Sequence, residues 1–191
     1  MNRTHNRLIT LILAITLLLQ VVNAEDDKTE NKAKGDVIEL AEGKIRLTSS
    51  KTWKQQTPKF KAIVDYEFEV PAGDDKSDNA RVTVGGANKV DEVFAYWKAQ
   101  YAQPDRIATA ERSSIKEIKI AGQVVHLIDI TGTYRGNDYR KEPSRPNARL
   151  LGAIVVTEKL GRYFVKMYGP NTTVAANEEA FMEMVQSLEV K

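Results

Sequence analysis

The chain of 191 residues contains no cysteine. Disulfide staples, thiol catalysis, cysteine-ligated zinc and iron–sulfur clusters are excluded, and so is lipid attachment at a lipobox cysteine. Histidine is nearly absent too: beyond residue 24 only His126 remains. A zinc site of two or three imidazoles within that stretch is thereby excluded. Long apolar runs are missing except for Leu8 to Val22, which falls short of the roughly 20 residues a bilayer-spanning helix needs. Gly85-Gly86 enters a helix-like segment, yet no Lys-Ser or Lys-Thr follows at phosphate-loop spacing. An excess of one charge is lacking as well. The 28 Lys plus Arg include Arg3 and Arg7, and no carboxylate precedes Glu25, so residues 25–191 carry 26 basic groups against 26 acidic ones. A neutral domain has no long-range attraction for nucleic acid.

What is present begins with a leader. Arg3, His5 and Arg7 make a positive start, Leu8 to Val22 an apolar centre, and Val22-Asn23-Ala24 a small-residue end. This is the pattern of a secretory signal peptide, residues 1–24, cleaved after Ala24. The expected destination is the periplasm or the extracellular space, with no membrane span left after cleavage. Residues 25–35 hold the polar run Glu25 to Lys34, which can bury nothing and reads as a flexible linker. Residues 36–191 are of a length to build one core of ordinary size.

Periodicity supplies the elements. Val37 to Leu40 and Lys44 to Thr48 are short strands around Glu42-Gly43. Phe60 to Val70 alternates, with Tyr66, Phe68 and Val70 on a buried face and Lys61, Asp65, Glu67 and Glu69 on a wet one. Ala80, Val82 and Val84 repeat this with Arg81 and Thr83 opposite, and a hairpin through Pro71 to Asn79 joins the two. Val90, Val93, Phe94, Trp97 and Tyr101 form one stripe of a helix, with Asn88 placed to cap it and Asp91 and Glu92 in its first turn. Ser114 to Ile120 and Gln123 to Thr133 flank the tight-turn signal Ala121-Gly122. Arg149 to Thr157 and Arg162 to Tyr168 form a further hairpin. The strands around Val124 to Ile130 and Leu150 to Val156 are apolar on both faces and belong in mid-sheet. Phe181, Met184, Val185 and Leu188 stripe a closing helix. The expected fold class is α+β, a mostly antiparallel sheet with two main helices packed on it.

The order of these pieces resembles the PsbP-like fold family. The likeness runs from about Lys44 to the C-terminus. It starts with a strand that ends near a tryptophan (Ile45-Arg46-Leu47 to Trp53), followed by the Val82-Thr83-Val84 strand and the helix opening Val90-Asp91-Glu92-Val93. The strand–Gly–strand unit Ile118 to Val125 follows, and Tyr163-Phe164-Val165 then precedes Gly169-Pro170 and the last helix. That family includes the PsbP subunit of photosystem II, a Ran-binding import factor and small exported bacterial proteins of planctomycete type. The resemblance implies an α/β/α sandwich and assembly or binding roles, and it transfers no functional residue.

Three places could carry chemistry. His126 could act as a general base with Asp129 or a serine, or be a half-buried side chain beside Val124, Ile128 and Ile130. Asp74, Asp75 and Asp78, with Ser77 and Asn79, could offer oxygen donors to Ca²⁺, though the spacing is not that of an EF-hand and turns are built of the same residues. Arg135 to Arg149 reads as a long binding loop, where Arg135, Tyr139, Arg140, Lys141, Arg145 and Arg149 would face a carboxylate, phosphate or sulfated sugar. The expected function is an exported, non-catalytic binding or assembly module engaging a protein or anionic polymer in the envelope, with no cofactor. The alternative is an envelope small-molecule or Ca²⁺-binding protein, with a hydrolase behind it.

Overall fold

In a computed structural model, which describes residues 35–73, 78–137 and 141–191, two antiparallel sheets share one core. The expected leader and nearly all of the expected linker lie outside the described residues. The smaller sheet places β1 (Val37–Leu40), β2 (Ile45–Thr48) and β11 (Glu189–Val190) side by side in that order. Alternation buries Ile38, Leu40, Ile45 and Leu47 on one face of it.

The larger sheet runs through β3 (Lys54–Gln56), β4 (Tyr66–Val70) and β5 (Ala80–Gly86). It continues into β10 (Arg162–Pro170), β9 (Arg145–Val156), β8 (Gln123–Tyr134) and β6 (Tyr101–Ala102), with β7 (Ser114–Ile120) also on β8. The tight turn between β7 and β8 forms where expected. Ala121 and Gly122 both take positive φ, 49° and 75°, the geometry that suits the twist of a two-residue hairpin.

Each face of this sheet carries a helix. On one face Phe68, Val82, Val125, Ala153 and Met167 pack with Phe181, Met184 and Val185 of α4 (Glu178–Gln186) and with the small sheet. On the other, Ile128, Ile130, Leu150 and Ile154 pack with Phe94 and Trp97 of α1 (Val90–Ala99). Two short helices, α2 (Thr109–Arg112) and α3 (Asn171–Ala176), complete the chain. The α+β class is the expected one, and β9 lies in mid-sheet with apolar groups on both faces.

Five expectations need correction. The strand expected over Phe60 to Val70 is only β4. Ile63 and Val64 instead donate backbone bonds to the Phe60 carbonyl, coiling the segment, and pairing starts when the Asp65 N–H reaches the Val84 carbonyl. That coil folds across the face expected to be wet, so Glu67 and Thr83 are buried. Asn88 does not cap α1; Lys89 holds that position and no side chain caps it. Tyr101 lies past the end of α1, in β6. Finally, β9 starts at Arg145, because Ala148 and Leu150 extend its buried face and Arg145 pairs with Tyr134. The irregular segment therefore stops at Ser144.

The seat of α1 depends on Gly152, since a Cβ there would collide with the Trp97 ring. Trp97 also meets Phe164 edge-on at 6.2 Å between centroids. Gly152→Ala should lower stability by about 1–3 kcal/mol, the usual range for overpacking a core. Gly86→Ala, where a Cβ meets nothing within 4 Å, should change it by less than about 0.5 kcal/mol. Urea denaturation of both variants checks this, and equal midpoints would contradict it.

Candidate functional site

The face that α1 covers is only partly closed. Beyond Trp97, strands β4, β5 and β10 point Glu67, Arg81, Thr83, Lys166 and Tyr168 to the same side, and two cavities open over them. The first, about 350 Å³, is lined by Lys59, Arg81, Tyr101, Tyr134, Lys141, Glu142, Arg145 and Tyr168 among others. The second, about 300 Å³, runs under α1 and is lined chiefly by Ile63, Val64, Val93, Trp97 and Phe164, with Glu67, Arg81 and Lys166. Phe60, Arg81 and Tyr168 line both.

Arg81 is the hub. Its Nε lies 3.2 Å from Glu67 Oε1, and its Nη1 donates to Tyr168 Oη at 3.2 Å and Glu142 Oε1 at 3.4 Å. Glu67 is itself held by the Lys59 N–H, 3.0 Å from Oε2, and Glu142 Oε2 accepts from the Tyr134 hydroxyl at 2.7 Å. Burial works against the charge on Arg81, but Tyr168, Glu67 and Glu142 outweigh it and keep the pKa above its ordinary value. Lys166 donates to Gln100 Oε1 at 3.4 Å and stands 4.3 Å from the centre of the Tyr168 ring, with Trp97 at 5.8 Å. An ammonium over aromatic faces is stabilised by their quadrupoles where water is scarce.

The residues singled out from the sequence are spread apart. Arg149 sits on the opposite face of the sheet, its side chain 12% exposed. Its Nε and Nη2 grip Asp129 at 2.9 and 2.8 Å, and Nη1 reaches Glu178 of α4 at 2.8 Å. Asp129 and Glu178 hold its pKa far above ordinary, and the group ties α4 to the sheet. Arg145 pairs with Asp78 at 2.6 Å, so both the candidate cation ligand and the candidate anion donor engage each other. Arg135 is exposed and donates from Nε to the Tyr101 carbonyl at 3.3 Å; Lys141 is exposed and lines the first cavity. Tyr139 and Arg140 lie outside the described residues, as do Asp74, Asp75 and Ser77. Among the described residues no group of three potential metal ligands converges. His126 is half-buried opposite Ile154, with Glu117 3.6 Å from Nδ1, while Asp129 is taken by Arg149.

Sequence reasoning missed Glu67, Arg81, Lys166 and Tyr168. A lysine between Phe164 and Tyr168 on one strand face was the available signal, since a wet face has no reason to keep two aromatic neighbours.

No family model matches the chain, and no curated protein does. Solved structures similar to it include cyanobacterial PsbP from Synechocystis sp. PCC 6803, at 10% identity and TM-score 0.49, covering 82% of this chain and 92% of that one. The Ran-binding protein Mog1p of Saccharomyces cerevisiae matches at 12% identity and TM-score 0.43, covering 81% and 94%. A Pseudomonas aeruginosa protein of unknown function, PA94, matches at 16% identity and TM-score 0.42, covering 82% and 96%. A PsbP protein, of the family the sequence resembles, is among them.

Burial pushes the Tyr101 phenol well above its usual pKa, with Tyr134 and Tyr168 adding to the shift. Its neutral form is favoured in the folded state, so this contribution is complete below about pH 10, the unfolded phenol value, and declines as pH rises past it. Stability should therefore fall above about pH 10, and Tyr101→Phe should lessen the fall. Urea titrations from pH 8 to 11 check it; identical slopes for both proteins would contradict it.

Proposed function

We propose that the chain is an exported, non-catalytic binding module that engages a protein or anionic polymer in the cell envelope. The contact surface is the end of the sheet where Arg135, Lys141 and Arg145 stand. The observation that carries this reading is the first cavity, whose walls combine Lys59, Arg81, Lys141 and Arg145 with the phenol rings of Tyr101, Tyr134 and Tyr168. Guanidinium and ammonium groups bind carboxylate and phosphate by charge-assisted hydrogen bonds, and tyrosines add apolar area with a polar tip. Arg149 is left out of the surface because it is spent on Asp129 and Glu178.

Lys141 and Arg145 can be removed without harm to the core, since an exposed pair such as Arg145–Asp78 contributes at most about 1 kcal/mol. The Lys141→Ala, Arg145→Ala double variant should keep its melting temperature within a few degrees. It should also lose at least tenfold in partner capture when the tagged protein is recovered from its native envelope. Undiminished capture by the folded variant would remove this surface from consideration.

A further inference from the structure

The two cavities meet at a charged group whose hydrogen bonding is incomplete. Arg81 is fixed through Nε and Nη1, while Nη2 makes no hydrogen bond among the described residues. The guanidinium lines both cavities, and its remaining donors are held in place before any ligand arrives. On one side of it, in the first cavity, Lys59, Lys141 and Arg145 outnumber Glu142. On the other side, the space under α1 is walled by Val64, Val93, Trp97 and Phe164. Ile63 and Tyr96, which also line that half, are 53% and 52% exposed. Each cavity reaches the lower end of the volume range for small-molecule sites, and a few polar groups in a mainly apolar cleft is their usual make-up.

We propose that the joined cleft binds a small amphipathic monocarboxylate, its carboxylate on Arg81 and its apolar body under α1 against Trp97 and Phe164. Two features select this chemistry. The charge on Arg81 is already countered in part by Glu67 and Glu142, so a monoanion meets less repulsion than a dianionic phosphate. The apolar half is open at Ile63 and Tyr96, so an aliphatic or aromatic body covers side chains otherwise left in water. This inference does not rest on the partner reading, because the inner wall needs neither Arg135 nor Arg145.

Trp97 is the reporter. Trp53, the other tryptophan, lies in the opposite core against Phe68, so Trp53→Phe leaves a single tryptophan, the one in the cleft, to be excited selectively over the tyrosines. Decanoate below its micellar concentration should change Trp97 fluorescence saturably, and 1-decanol and inorganic phosphate should bind at least tenfold more weakly. Arg81→Gln should reduce decanoate affinity at least tenfold while bringing the alcohol and acid close together. Should Arg81→Gln fail to fold with Glu67 uncompensated, Ala87→Phe decides. Ala87 is half-buried against the Trp97 cluster and lines the apolar half, and the larger side chain there should block decanoate by at least tenfold. No saturable change, equal affinity for acid and alcohol in the parent, or unaltered affinity in the folded variants would overturn the proposal.

Discussion

One indole sets the position of everything on the second face of the sheet. Trp97 lies over Gly152, where no side chain fits, and meets Phe164 from the neighbouring strand. This contact anchors α1 above β8, β9 and β10 and leaves β4 and β5 without a helix over them. A coil over residues 59–64 closes part of the gap, because its Lys59 N–H is a partner for the Glu67 carboxylate. What stays open is the cleft. Its existence follows from a helix of ten residues covering a sheet too wide for it.

The polar cluster in that gap is not the cheapest way to fill it. Taking charges out of water costs free energy that mutual attraction offsets only where geometry is good, and apolar residues of similar volume are often as stable. Here Glu67 is almost fully buried and Arg81 largely so, and each has a further hydrogen bond, Glu67 accepting from the Lys59 N–H and Arg81 donating to the Tyr168 phenol oxygen. Arg149 shows the contrasting use of the same chemistry. Its guanidinium, gripped by Asp129 and reaching Glu178, leaves no donor pointed into a cavity and joins α4 to the sheet. One arginine closes a seam; the other faces a space.

Most strands were legible because a period of two is hard to mistake when one face is buried. The mid-sheet position of β9 was legible from its doubly apolar run. The errors share a cause. Phe60 to Val64 continues the alternation of β4, yet Ile63 breaks the period, and that break is where the chain turns back over the sheet. The same fold-back buried Glu67 and Thr83, which local pattern assigned to water. Arg145 looked like a loop residue because its charge masks the alternation that Ala148 and Leu150 continue, and Arg149, first in the expected strand, also closed the expected basic loop. Their partners, Asp78 and Glu178, are distant in sequence and carry no local signal. The cleft could not be read directly, since Arg81 and Tyr168 meet only once β5 and β10 have paired, and Glu142 arrives on the connection into β9. Export and a macromolecular partner remain readings of the leader and of the basic segment.

Arg81 and Glu67 act as one buried unit that holds the guanidinium toward the cleft. A double-mutant cycle with Arg81→Met and Glu67→Gln, read by urea denaturation at pH 7, measures that coupling. The account predicts a favourable interaction of about 1–3 kcal/mol, as found for neighbours within one network. A coupling below about 0.3 kcal/mol would contradict it.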